Sequence, residues 1–95
     1  MNFDVYILYS PTYDKFYIGQ TSDLPLRVHS HNNTFRSTFT SKFRPWELFW
    51  HIGVPSRSLA MEIEKYLKNK NKIFYKRLIS DADLEKYIKE RFDLQ

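Results

Sequence analysis

Aromatic and β-branched side chains crowd residues 3–10 and again 15–21, and each run reads as a β-strand. Between them Pro11-Thr12-Tyr13-Asp14 is a turn signal, because Pro fixes φ and Asp can bond its own backbone. The two runs are expected to pair as an antiparallel hairpin. Ser22 or Asp23 is expected to cap a helix over residues 24–32, with Pro25 tolerated in its first turn. Residues 33–45 are polar and read as irregular, with Arg36, Lys42 and Arg44 set among Phe35, Phe39 and Phe43. Residues 46–52 read as a third strand, stopped by Gly53 and Pro55. Leu59, Ile63, Tyr66 and Leu67 recur at helical spacing, so a helix is expected from Ser56 or Ser58 to about Asn69. A short helix over 73–79 should follow. The last helix starts in Ser80-Asp81-Ala82-Asp83, with Leu84, Ile88 and Phe92 on one face. This order predicts an α+β fold, a small three-stranded antiparallel sheet flanked by helices.

Composition narrows the class. A chain of 95 residues can close a single modest core, so one domain is expected over 1–95, its core at about 3–78 and a C-terminal helix at about 81–92. Hydrophobic residues at 42% are enough for such a core and argue against disorder. There is no cysteine, which excludes disulfides and thiolate metal sites. No apolar run approaches the roughly 18 residues that span a bilayer. No secretory signal is visible, and a cytoplasmic location with no membrane contact is expected. The net charge of +4 is mild evidence for a polyanionic partner.

The candidate chemistry lies in side chains that the elements should gather. A turn at 11–14 pairs strand positions whose numbers sum to about 25, so Tyr6 faces Gly19 and Leu8 faces Tyr17. Side chains alternate across a strand, which sets Tyr6 and Tyr17 on one face as diagonal neighbours. Two tyrosines on a hairpin ordinarily serve packing, and taken alone they decide nothing. Arg27 and His31 stand at i and i+4, on one side of the first helix, with His31 near a helix end that favours a cation. Glu64 falls within or beside the apolar stripe of its helix, whereas Glu62 points away. A carboxylate on such a face is costly unless it is paired or binds a metal. The set is specific although its members are not.

The ordered pieces Asp4-Val5-Tyr6, Tyr17-Ile18-Gly19, Arg27-Val28-His29-Ser30-His31 and Ala60-Met61-Glu62-Ile63-Glu64 resemble the GIY-YIG nuclease superfamily, in particular its small stand-alone members. The Arg44-Pro45-Trp46-Glu47-Leu48 run and the Arg57-Ser58 helix opening fit the same group. The first motif departs from the pattern in lacking its glycine. The resemblance implies metal-dependent cleavage of a phosphodiester bond, with Tyr6, Tyr17, Arg27, His31 and Glu64 as the catalytic set. Glu64 would bind Mg²⁺ or Mn²⁺ through oxygen, and Arg27 would contact the phosphate. Tyr6 is the first candidate for the base, with His31 its rival and Tyr17 helping to orient.

The expected partner is nucleic acid, with DNA the leading expectation, met through Arg36, Lys42, Arg44 and the basic stretch that holds Lys68 and Lys72. So short a chain leaves little for base recognition. A preference for structure, ends or single strands is therefore expected over a defined sequence. Two rival readings are a binding module with little catalysis and a subunit that needs a protein partner. The second draws on Phe35, Phe39 and Phe43, although packing under the loop explains those rings more simply.

Overall fold

The computed structural model describes residues 2–33 and 39–94. Strand β1 (Phe3–Ser10) is central, with β2 (Lys15–Thr21) on one side and β3 (Glu47–Val54) on the other, both antiparallel to it. Helices α1 (Leu24–Asn33) and α2 (Phe39–Lys42) lie between β2 and β3 in the chain. α3 (Arg57–Lys68), α4 (Lys72–Ser80) and α5 (Ala82–Arg91) follow β3. The fold is α+β, as the element order predicts. Among the described residues no helix is long and apolar enough to cross a membrane.

The alternation of β1 divides the interior into two layers. Phe3, Val5 and Ile7 join Ile18, Trp50, Ile52 and Val54 beneath Ala60, Ile63 and Leu67 of α3, with Leu78 and Ile88 completing that core. Tyr6 and Leu8 point the other way, against Trp46, Tyr17, Leu24, Val28 and Phe43. The hairpin register pairs Tyr6 with Gly19 and Leu8 with Tyr17. Asp14 closes the turn at φ 51°, and its carboxylate accepts from Tyr9 Oη at 2.9 Å.

Short polar side chains start the helices. Asp23 Oδ1 accepts from Leu26 N at 3.2 Å, Ser56 Oγ from Leu59 N at 3.2 Å and Asn71 Oδ1 from Phe74 N at 3.0 Å. Asp81 ends α4 and caps α5.

Two boundaries differ from the sequence expectation. The stretch 33–45 is not wholly irregular: α1 runs through Asn33 and α2 forms at Phe39–Lys42. The third strand is Glu47–Val54 rather than 46–52, with Gly53 inside it opposite Asp4. Trp46 is drawn out of the strand by Asn32, whose Oδ1 accepts from Trp46 N at 2.7 Å and whose Nδ2 donates to Trp46 O at 3.0 Å. The Trp46 indole donates to Thr40 O at 2.7 Å, which ties α2 down.

Candidate active site

The hairpin sets the Tyr6 and Tyr17 rings 6.5 Å apart on one sheet face. Tyr6 lies over Gly19, where a Cβ would meet its hydroxyl oxygen at 2.5 Å. The open space at Gly19 is therefore filled by Tyr6 itself. α1 crosses this face and delivers His31, whose Nε2 stands 2.9 Å from Tyr6 Oη. The His31 ring centre is 4.8 Å from that of Tyr17. Tyr6, Tyr17 and His31 thus form one contacting group.

His31 corrects an expectation. It lies in the last turn of α1, as its place in the sequence implies, but it is not a solvated cation there, because it is only 8% exposed. Burial, followed by the nearby Arg27 charge, pulls its pKa below the ordinary value of 6.5. A neutral imidazole can accept the Tyr6 proton through Nε2, whereas an imidazolium could not.

Tyr6 is held far above the usual tyrosine range. Burial is the largest cause; the neighbouring Tyr17 and the Glu64 charge raise it further, and Arg27 opposes them. Arg27 is exposed on α1, one turn before His31. Glu64 is 20% exposed on α3 and takes Lys68 Nζ at 2.7 Å. The pair raises the Lys68 pKa, and the ammonium has the exposed end.

Beside Glu64 runs a groove of about 520 Å³, lined among others by Gln20, Met61, Lys65 and Asn69. Gln20 Oε1 is buried there without a hydrogen-bond partner. Sequence reasoning passed over this residue, although its position next to Gly19 assigns it to the opposite sheet face, toward α3. Among the described residues no three His, Cys, Asp or Glu side chains gather. One carboxylate and one orphan amide oxygen on the same groove fit a hard divalent cation that keeps most of its waters, and not a soft-ligand site of the zinc or copper kind.

The expected phosphate contacts are dispersed. Lys42 is exposed on α2. Arg44 is half-buried, and its Nε donates to His31 O at 3.0 Å. Lys68 serves Glu64, and Lys72 reaches Asp14 at 3.0 Å across the hairpin turn. Arg36 and Phe35 lie outside the described residues.

The fold and this grouping are those of a nuclease-type domain: the chain belongs to the GIY-YIG family, its residues 2–77 matching the family model of the GIY-YIG catalytic domain. It is similar to the structure-specific endonuclease subunit SLX1 of Chaetomium globosum, at 36% identity over 73 residues, 70% of this chain and 22% of that one. The SLX1 subunit of Cryptococcus neoformans is 35% identical over 54 residues, 54% of this chain and 11% of that one. The chain thus spans about a fifth or less of these relatives' length. A UPF0213 protein of Bacillus halodurans, solved by NMR in solution, superposes with a TM-score of 0.53 at 26% identity, covering 86% of each chain.

Proposed function

We propose that this chain is an endonuclease that hydrolyses phosphodiester bonds in DNA, selecting structure, ends or single strands. The observation that carries the reading is the Tyr6 hydroxyl 2.9 Å from Nε2 of a buried His31, whose pKa burial lowers, with the charges of Arg27 and Glu64 acting on the same hydroxyl. Glu64, with Gln20 on the same groove, would hold Mg²⁺ or Mn²⁺. When bound, the cation would supply Lewis-acid polarisation of the phosphate and stabilise the leaving oxygen.

The remaining work falls to side chains. Arg27 binds the scissile phosphate and offsets charge that builds on its oxygens in the transition state. Tyr6 takes a proton from the attacking water while passing its own to His31 Nε2, leaving an imidazolium that returns the proton to solvent. A free phenolate is not required, which suits a hydroxyl whose ionisation burial opposes. Tyr17 packs on the His31 ring and holds its plane. Lys42 and the Lys65 to Arg77 stretch attract the backbone without reading sequence.

Supercoiled and branched DNA incubated with Mg²⁺ or Mn²⁺ tests this. Nicking should require the cation and vanish in Glu64→Ala and Arg27→Ala. Nicking that persists in both variants would remove the site from the reaction. A second reading, a catalytic subunit that works only beside a protein partner, is favoured by the word subunit in the names of the longer relatives. It predicts activity only in a reconstituted mixture.

A further inference from the structure

A row of aromatic rings extends from Tyr17 away from the reacting group. Tyr17 stacks on Phe39 with planes 27° apart and centres at 6.4 Å. Phe39 meets Phe43 at 4.9 Å, and Phe43 meets Tyr13 edge-on at 5.4 Å. Packing needs the inner rings, because Trp46, whose ring centre is 6.2 Å from that of Phe39, is 3% exposed and Phe43 is half-buried. It does not need the outer ones: Phe39 is 48% and Tyr13 49% exposed. Cations border the row. Lys15 Nζ lies 5.5 Å from the centre of the Phe43 ring, and Lys42 is exposed on the same short helix as Phe39. The nearby acid, Asp14, is taken up by Lys72 and Tyr9.

We propose that the Phe39 and Tyr13 faces are a stacking shelf for unpaired bases of single-stranded DNA adjoining the scissile phosphate. Tyr17 touches His31 on one side and Phe39 on the other, so a strand whose phosphate sits at the reacting group has its next bases over the shelf. Every base offers a π-face, and flanking lysines follow the backbone, which gives strand selection without sequence selection. Bases within a duplex already stack on one another and cannot use the shelf. The inference deepens the nuclease reading and rests on it for the location of the scissile phosphate.

Binding without divalent cation separates the two. Fluorescence anisotropy should compare a labelled oligothymidylate with a strand of the same length carrying abasic sites, which keeps the phosphates and removes the bases. The protein should bind the oligothymidylate about tenfold more tightly, within the range that base–aromatic stacking gives. Phe39→Ala and Tyr13→Ala should bring the two strands together, while Phe39→Trp keeps the preference. Phe39→Leu, apolar but not aromatic, should lose the preference with its melting temperature retained, which separates stacking from packing. Equal binding of both strands by the unsubstituted protein, or a preference surviving in Phe39→Leu, would overturn the shelf. A protein that prefers bases but never cleaves would sink the nuclease reading instead.

Discussion

The Tyr6 ring rests on the backbone of Gly19, so that an added Cβ would lie 2.5 Å from its hydroxyl oxygen and 2.7 Å from Cζ. The glycine is required by space and not by backbone conformation, since no glycine has positive φ. Gly19→Ala must push the phenol away from His31 Nε2. Overpacking of this kind costs about 1–3 kcal/mol, readable by denaturant unfolding. Cleavage should fall by about a hundredfold or more, the scale of a lost proton-transfer contact. Full activity in Gly19→Ala would show that the Tyr6–His31 bond is not used.

The same bond sets a pH dependence. Folding lowers the His31 pKa from its ordinary value of 6.5, so the folded chain binds this proton less readily than the unfolded one. The stabilisation from a neutral, buried His31 is then fully present above about 6.5 and is lost as the pH falls below it toward the folded value. Urea unfolding at about pH 8 and about pH 5 should show the loss, and His31→Asn should reduce it. Cleavage at saturating metal should be flat from neutrality upward and decline in acid. A rate that climbs steadily into the alkaline range would instead mean that a phenolate is the base.

Much of this was legible in the chain. The four-residue turn fixes the β1–β2 register, and that register alone makes Tyr6 and Tyr17 neighbours. Each helix start was bracketed by short polar residues, and of Ser22 or Asp23, Ser56 or Ser58 and the run 80–83 it is Asp23, Ser56 and Asp81 that cap. Arg27 and His31 were grouped by their four-residue spacing, yet one is exposed and the other buried. The missed signal was Leu24, Val28 and His31, an i, i+4, i+7 stripe that lays the histidine on the sheet. Trp46 read as strand because its β propensity is high. Its position is fixed by Asn32, fourteen residues earlier, through long-range bonds that no local pattern encodes.

Arg44 combines two demands that can be separated. Its Nε donates to the His31 carbonyl, near the end of α1, where carbonyls lack helical partners. Arg44→Ala should cost about 1.5–3 kcal/mol, the scale of a hydrogen bond to a charged donor, and loosen His31 with it. Because the guanidinium is engaged, the slope of log affinity against log salt for DNA should stay unchanged. A slope smaller by about one would mean that Arg44 also neutralises a phosphate.

Lys68 competes with the cation for the Glu64 carboxylate. The carboxylate oxygen and the Lys68 nitrogen are 2.7 Å apart, but Lys68 is 55% exposed, and helix pairs of this spacing contribute only about 0.3–0.5 kcal/mol. Lys68→Met should therefore leave stability almost unchanged. It should lower the Mg²⁺ or Mn²⁺ concentration that half-saturates cleavage: about twofold from the freed carboxylate, and more from the removed repulsion between ammonium and divalent ion. Glu64→Gln should lose cation-dependent cleavage altogether while keeping DNA binding, because only the ionised oxygen is a strong hard ligand. Metal titrations followed by cleavage rate decide between two jobs for Lys68. An unchanged metal midpoint in Lys68→Met together with weaker, less salt-sensitive DNA binding would make it a phosphate contact. A lowered midpoint with unchanged binding would make it the resident counter-ion that the incoming metal displaces.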